Sequence, residues 1–184
     1  LLRAASPPPT SENGTLRMGW QLPGLDVTQT LAPAQNPYTN RADTVRIALT
    51  ATNTTNEPLS AGIRIMFDTM IGNNDRAPFF VPGAGNFDTE RAFVGDQVPA
   101  YWKAFEAEDY DAASLKGQGI LTGEDATRPD RLVFAMWPSI KNEAWDYSPR
   151  PGMSVGDSAV AMYWEPVELA PGASVTWVTY YGLA

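Results

Sequence analysis

Oxygen-bearing side chains are concentrated in the stretch FDTMIGNNDRAPFFVPG, residues 67–83. The candidate cation ligands in it are Asp68, Asn73, Asn74 and Asp75. Carboxylate and amide oxygens are the ligands that Ca²⁺ prefers. The spacing does not match a calcium loop of the EF-hand kind, because Met70 and Phe79 occupy the third and twelfth positions. An irregular Ca²⁺ site is therefore one interpretation, and a turn closed by Asn and Asp side chains is the other.

Acidic residues near predicted strand ends offer a second kind of chemistry. They are Asp68, Asp130, Asp146, Asp157 and Glu165. Glycoside hydrolysis uses two acids held about 5 Å or about 6.5–9.5 Å apart. Acids at strand ends also cap turns or pair with arginine, so convergence cannot be deduced from the sequence. A carboxylate-based glycosidase or lyase is one alternative for this protein.

The chain contains no cysteine and no histidine. This excludes disulfides, thiolate zinc sites, cysteine nucleophiles and histidine-dependent triads. The usual zinc, copper and iron sites also lose their preferred ligands. We therefore expect no catalytic residues and no enzymatic activity, and no cofactor other than Ca²⁺.

Aromatic side chains are the third group of residues that could have a functional role, through binding of a ligand or a partner. The predicted ligand- or partner-binding residues are Phe79, Phe80, Tyr101, Trp102, Trp145 and Tyr147. Sugar-binding modules display rows of such rings, and the same rings anchor protein interfaces. Trp145 and Tyr147 lie in a proline-flanked loop, so we expect them to be the most exposed pair. Packing in the core is the alternative for each ring.

Alternating apolar residues predict the strands that must position these groups. Val45, Ile47 and Leu49 alternate with polar residues, and after the turn sequence NTTNEP the alternation resumes at Ile63 and Ile65. The segment DRLVFAMW is apolar on both faces, which is typical of a central, buried strand. Strands recur between turns, so we predict an all-β protein, an antiparallel β-sandwich of immunoglobulin-like or supersandwich-like type.

The predicted organisation is a flexible proline-rich leader at 1–14 and a single sandwich domain at 15–184. A length of 184 residues fits one such domain. A long insertion is expected at about 72–116. Within it, Asp96 as an N-cap and the spacing of the following aromatic residues predict one short helix at about 98–107.

The net charge of −8 argues against nucleic acid as a partner, because phosphate binding needs a cationic surface. No apolar run approaches the ~18 residues that would span a bilayer. The chain starts without methionine and soon becomes rich in proline, serine and threonine. This start suggests processing and fits a periplasmic or secreted, extracytoplasmic location.

Three stretches carry a resemblance to a known group of proteins: IRIMFDTMIGNNDRAPFFVPG, DRLVFAMWPSIKNEAWDY and DSAVAMYWEPVELAPGASVTWVTYYGL. Together, over residues 45–184, they resemble a β-sandwich module of secreted bacterial and archaeal proteins. The resemblance implies export, a sandwich fold and use as a part of larger surface assemblies. It implies no activity and no catalytic residue.

These observations lead to one expected function and two alternatives. We expect a non-catalytic extracytoplasmic interaction or structural module, an accessory subunit whose partners are other subunits of a surface or membrane-attached assembly. The first alternative is a carbohydrate-binding module that binds a glycan with or without support from Ca²⁺. The second is the carboxylate-based glycosidase or lyase.

Overall fold

Two antiparallel sheets pack face to face in the computed structural model, which describes residues 8–123 and 125–184. Among these residues the large sheet has nine strands, in the order β1-β2-β3-β4-β13-β10-β9-β6-β7, and the small sheet has four, in the order β5-β12-β11-β8. The fold class predicted from the sequence, an all-β antiparallel sandwich, is confirmed.

The strands of the first half of the chain are β1 Thr10–Glu12, β2 Thr15–Leu22, β3 Leu25–Ala34, β4 Thr44–Asn53, β5 Leu59–Asp68, β6 Phe79–Val81, β7 Gly85–Phe87 and β8 Arg91–Val94. Those of the second half are β9 Tyr101–Phe105, β10 Lys116–Ile120, β11 Arg131–Met136, β12 Ser158–Leu169 and β13 Ser174–Leu183. A 3₁₀ turn at Gly95–Gln97 and the short helix α1 Trp137–Ile140 are the helical elements of the described residues.

The two central strands of the small sheet are buried on both faces. In β11, Leu132 and Phe134 face the large sheet, whereas Val133 and Ala135 face outwards beneath the segment that contains Ile140. All four β11 side chains are fully buried. The prediction that DRLVFAMW forms a central, buried strand is therefore confirmed.

Aromatic rings fill the space between the sheets around Phe134. Its ring centroid lies 4.7 Å from that of Phe79, 5.0 Å from that of Phe87 and 6.1 Å from that of Trp102. Trp102 is accommodated because the strand opposite it carries Gly119: a Cβ at that position would overlap the indole ring. The core thus depends on a glycine placed directly across from the largest side chain.

The helix predicted at about 98–107 is wrong: Tyr101–Phe105 form strand β9. This strand pairs with β10 and β6, so Trp102 points into the core while Tyr101 and Lys103 point outwards. The aromatic spacing fitted a helix, but cross-strand pairing decides the local structure. The helical residues are instead those of the preceding 3₁₀ turn, which includes Asp96.

The predicted insertion at about 72–116 is part of the sandwich. It contributes β6, β7 and β9 to the large sheet and β8 to the small sheet. At the other end of the chain, Thr10–Glu12, which the sequence placed in the leader, pair with β2 as strand β1. Residues 1–7 of that predicted leader lie outside the described residues.

A groove of about 630 Å³ opens along β5, which is an edge strand of the small sheet. One wall is formed by apolar side chains of the large sheet, including Leu22, Val27 and Leu49. The other wall is formed by α1 and the residues after it. Within the described residues, no helix is both long and apolar enough to cross a membrane.

Candidate functional site

Three carboxylate groups meet at one end of the small sheet. Asp68 is the last residue of β5, Asp75 lies in the loop that follows, and Asp157 immediately precedes β12. Each contributes an oxygen that lies within 4.8 Å of the others. Asp68 and Asp75 are exposed and Asp157 is half-buried, so a ligand from solvent can reach all three. We call these three residues the carboxylate cluster.

Backbone pairing between β5 and β12 builds the cluster. The register places Asp68 opposite Ala159, so the end of β5 lies beside the start of β12. Beyond the strands, Thr69 N–H donates to the carbonyl of Ser158 at 2.9 Å, and Ser158 N–H donates to the carbonyl of Asp75 at 2.8 Å. The two buried hydroxyl groups of Thr69 and Ser158 are also hydrogen-bonded, at 2.8 Å. These hydrogen bonds join the segments that carry the three acids and fix them relative to one another.

The loop between Asp68 and Asp75 is closed by a tight turn. Ile71 and Asn74 exchange two backbone hydrogen bonds, of 3.1 and 3.0 Å, around Gly72, whose φ is +60°. The side-chain oxygen of Asn74 accepts the backbone N–H of Arg76 at 3.0 Å. Asn73 is exposed at the tip. Of the four predicted cation ligands, the structure brings Asp68 and Asp75 together in the carboxylate cluster and uses the Asn74 oxygen within the turn.

Burial and neighbouring charges raise the pKa values of two members of the cluster, Asp68 and Asp157. The pKa of Asp68 is raised by burial and by the charge of Asp75. The pKa of Asp157 is raised by burial and by the charges of Asp75 and Asp68, against the opposing effect of Lys141. The charge of Asp75 therefore adds to burial in favouring the protonated forms of Asp68 and Asp157.

The groove along β5 reaches the cluster at Asp68, which lines it, whereas Asp75 and Asp157 are not among its lining residues. Met66 and Trp137 also line the groove. Arg64 holds this wall in place: its guanidinium donates to the carbonyl of Ile140 at 3.2 Å and to that of Glu143. The arrangement places an apolar, partly aromatic surface next to a carboxylate of the cluster.

The other acids predicted from the sequence to lie near strand ends are outside the carboxylate cluster. Asp130 accepts the backbone N–H of Glu165 at 2.8 Å. The carboxylate of Glu165 accepts the indole N–H of Trp145 at 3.4 Å. Asp146 is exposed in the loop after α1. The first two stabilise local structure, as acids at strand ends commonly do.

The predicted binding aromatics fall into three places. Phe79 and Trp102 are fully buried in the core. Phe80 and Tyr101 are half-buried on the outer face of the large sheet. Trp145 is half-buried with its ring edge-on to Tyr163, at 5.5 Å, and Tyr147 is buried.

The expectation that Trp145 and Tyr147 form the most exposed pair is wrong. The Tyr147 hydroxyl donates to the carboxylate of Glu90 at 2.8 Å, which draws the ring beneath the loop. Arg150 completes this arrangement through an ion pair with Glu90 at 2.9 Å. The sequence contains no local signal for a buried Glu90, because its partners come from a distant loop. Asp157 is among the acids predicted near strand ends, but its meeting with Asp68 depends on the pairing of β5 with β12.

The fold is similar to the folds of several solved structures. The galactose mutarotase related enzyme from Lactobacillus acidophilus has a TM-score of 0.55 and 8% identity, over 95% of this chain and 69% of that chain. A galactose mutarotase-like protein from Lactobacillus casei ATCC 334 has a TM-score of 0.53 and 10% identity, over 96% and 72% of the two chains. A TPR-domain containing protein from Parabacteroides distasonis ATCC 8503 has a TM-score of 0.53 and 8% identity, over 92% and 32%.

The chain is a β-sandwich whose fold is similar to those of galactose mutarotase-related proteins. At identities of 8–10% this likeness concerns the fold. No protein-family model and no curated protein sequence matches the chain.

The comparisons correct the prediction that the protein is not an enzyme, because its fold is shared with an enzyme related to galactose mutarotase. They also give no support to a non-catalytic accessory role. The prediction relied on the missing histidine and cysteine, whereas clustered carboxylates can exchange protons without either residue.

Proposed function

We propose that this protein acts on a carbohydrate, with the carboxylate cluster as its acid–base group and the adjoining groove as the place where the sugar lies. The observation that carries the proposal is the meeting of Asp68, Asp75 and Asp157 at the end of a groove walled by the Trp137 indole. The mutarotase-like fold supports a carbohydrate as the substrate class.

Interconversion of sugar anomers is the reaction that suits this cluster. A carboxylic acid donates a proton to the ring oxygen, a carboxylate removes the proton of the anomeric hydroxyl, and the bond between C1 and the ring oxygen breaks. The aldehyde rotates about its bond to C2, and the reverse proton transfers close the ring as either anomer. The reaction needs one protonated and one ionised carboxyl, and the raised pKa values of Asp68 and Asp157 increase the protonated fraction of each.

The groove provides a surface of the kind that a sugar ring needs. Ligand sites are typically concave, mostly apolar and of roughly 300–1,000 Å³, with a few polar groups that fix orientation. The groove of about 630 Å³ fits this description, with Asp68 and Arg64 as its polar residues. The C–H face of a pyranose would pack on Trp137 while its hydroxyls reach the carboxylates.

Calcium-supported carbohydrate binding is a second candidate, and the same cluster favours it. Ca²⁺ takes carboxylate, amide and backbone oxygens, and three carboxylates that repel one another are stabilised by a cation. In this case Asp68, Asp75 and Asp157 would hold the ion, and the sugar hydroxyls would complete its coordination.

The extracytoplasmic location and assembly with other protein subunits stay predictions that rest on the sequence.

Anomer exchange measured by NMR on a panel of free aldoses tests the proposal. We expect catalysed exchange in the presence of a chelator, with a rate that falls on both the acid and the alkaline side of an optimum. Asp157→Asn should remove about 100-fold or more of the catalysed rate. Exchange no faster than in buffer would contradict the acid–base proposal.

The same samples distinguish the calcium candidate. If Ca²⁺ at millimolar concentration raises the melting temperature and sugar binding requires it, the cluster is a cation site. Asp75→Asn should then abolish both effects. Asp146→Asn, which removes an exposed acid outside the cluster, is the matched control.

A further inference from the structure

A second surface, on the outer face of the large sheet, combines aromatic rings with lysines. In the β6–β9 pair Phe80 lies directly opposite Lys103, and Tyr101 shares the outer face of β9 with Lys103. The Tyr101 ring centroid is 6.4 Å from that of Phe80 and 4.6 Å from that of Tyr38, which is 49% exposed. Lys116 lies on the neighbouring strand β10. We call these five residues the lysine–aromatic surface.

The two lysines of this surface have no acidic partner in the described part of the chain. They are two of the three lysines in the protein. The ion pairs within residues 8–123 and 125–184 involve arginines only: Arg41–Asp43, Arg46–Asp125 and Arg150–Glu90. Each lysine lies instead near a ring, Lys103 Nζ at 5.8 Å from the Tyr101 centroid and Lys116 Nζ at 5.7 Å from that of Phe105.

Burial and the neighbouring positive charge both disfavour the charged form of Lys103. The pKa of Lys103 is lowered by burial and, in addition, by the charge of Lys116. Acids are numerous in this protein of net charge −8, and several follow β9 in the sequence EAEDYD. The nearest of these along the chain, Glu106, accepts the hydroxyl of Ser114 at 2.6 Å. An anionic ligand would supply the missing countercharge.

We propose that the lysine–aromatic surface binds a polysaccharide that contains uronic acids. The sugar carboxylates would contact Lys103 and Lys116, and the C–H faces of the rings would lie on Phe80, Tyr101 and Tyr38. This site is separate from the carboxylate cluster, which lies on the small sheet, and does not depend on the acid–base proposal.

A pair of polymers that differ only in their carboxylates provides the test. We expect polygalacturonate to retard the protein in affinity gels and to bind in calorimetry, and its carboxyl-reduced form to bind much more weakly. The Lys103→Gln/Lys116→Gln double variant should bind about tenfold or more weakly. Arg17→Gln, which removes an exposed positive charge on strand β2, away from this surface, is the control.

The contributions of the aromatic rings and of the lysine charges to binding can be measured separately. Tyr38→Ser should weaken binding without unfolding the protein, because Tyr38 is exposed. Added salt should weaken the contacts made by the lysines. Asp157→Asn should bind polygalacturonate as the unmodified protein does, and the lysine double variant should retain anomer exchange.

Three results would overturn the proposal. They are equal binding of polygalacturonate and its carboxyl-reduced form, equal binding by the lysine double variant and the arginine control, and the absence of binding altogether. If polyglutamate bound as tightly and with the same dependence on the lysines, the surface would recognise acidic peptides and the saccharide assignment would be wrong.

Discussion

The carboxylates of Asp68 and Asp157 lie within 4.8 Å of each other because β5 ends where β12 begins. The two strands are antiparallel neighbours, and the loop after β5 returns to place Asp75 in the same position. The repulsion among the three acids is thus imposed by backbone pairing. Burial and this repulsion together raise the pKa values of Asp68 and Asp157.

Removing one acid should relieve this repulsion. Because the pKa values of Asp68 and Asp157 are raised in the folded protein, each binds its proton more tightly when folded. Each therefore lowers stability at neutral pH, and stability is regained as the pH falls through the raised pKa. We expect Asp157→Asn to raise the melting temperature by about 1–2 °C at neutral pH and to have no effect in acid.

Differential scanning calorimetry across the acidic range measures this effect. Asp146→Asn serves as the control, since it removes an exposed acid away from the cluster. A lower melting temperature of Asp157→Asn at neutral pH would show that the carboxylates do not repel one another in the folded protein.

Glu90 should have the opposite pH dependence. Burial raises its pKa, but hydrogen bonds from Arg150, Tyr147 and the backbone outweigh burial and leave the pKa lowered. Its stabilising contribution is therefore present above the ordinary glutamate pKa and is lost as the pH falls through the lowered value. Glu90→Gln should cost about 2–3 kcal/mol at neutral pH, because it weakens every one of these bonds inside a buried site.

Urea unfolding at neutral and strongly acidic pH tests the role of Glu90. The difference between Glu90→Gln and the unmodified protein should shrink in acid, where Glu90 itself is protonated. Glu57→Gln, in an exposed turn, is the control. A difference that is the same at both pH values would point to lost packing and not to lost charge.

Gly119 should tolerate no side chain. A Cβ there would overlap the indole of Trp102, which is fully buried and cannot move aside. We expect Gly119→Ala to reduce the free energy of unfolding by about 1–3 kcal/mol. Gly156→Ala is the control, because nothing lies within 4 Å of its added Cβ. Equal stability of the two variants, measured by urea unfolding, would contradict the packing described for this strand pair.

The sequence predicted those parts of the fold that depend on local alternation. The strand DRLVFAMW and the pair flanking NTTNEP could be recognised because side-chain direction in a strand has a period of two. Strand β9 could not, since the spacing of its aromatic residues also fits a helix and only pairing with Gly119 and its neighbours decides between them.

The candidate site was predictable in part. Asp68 and Asp75 lie in one short loop, so their proximity follows from the sequence. The proximity of Asp157 depends on the pairing of β5 with β12, which no local pattern reveals. The burial of Tyr147 likewise depends on Glu90, a partner far away in the chain.

The most direct test of the central proposal is the rate at which the protein equilibrates the anomers of a free aldose in the presence of a chelator. We predict a catalysed rate that the Asp68→Asn/Asp157→Asn double variant reduces by about 100-fold or more, while Asp146→Asn leaves it unchanged. A rate equal to that of buffer, or a double variant as active as the unmodified protein, would contradict the assignment of the carboxylate cluster as the acid–base group.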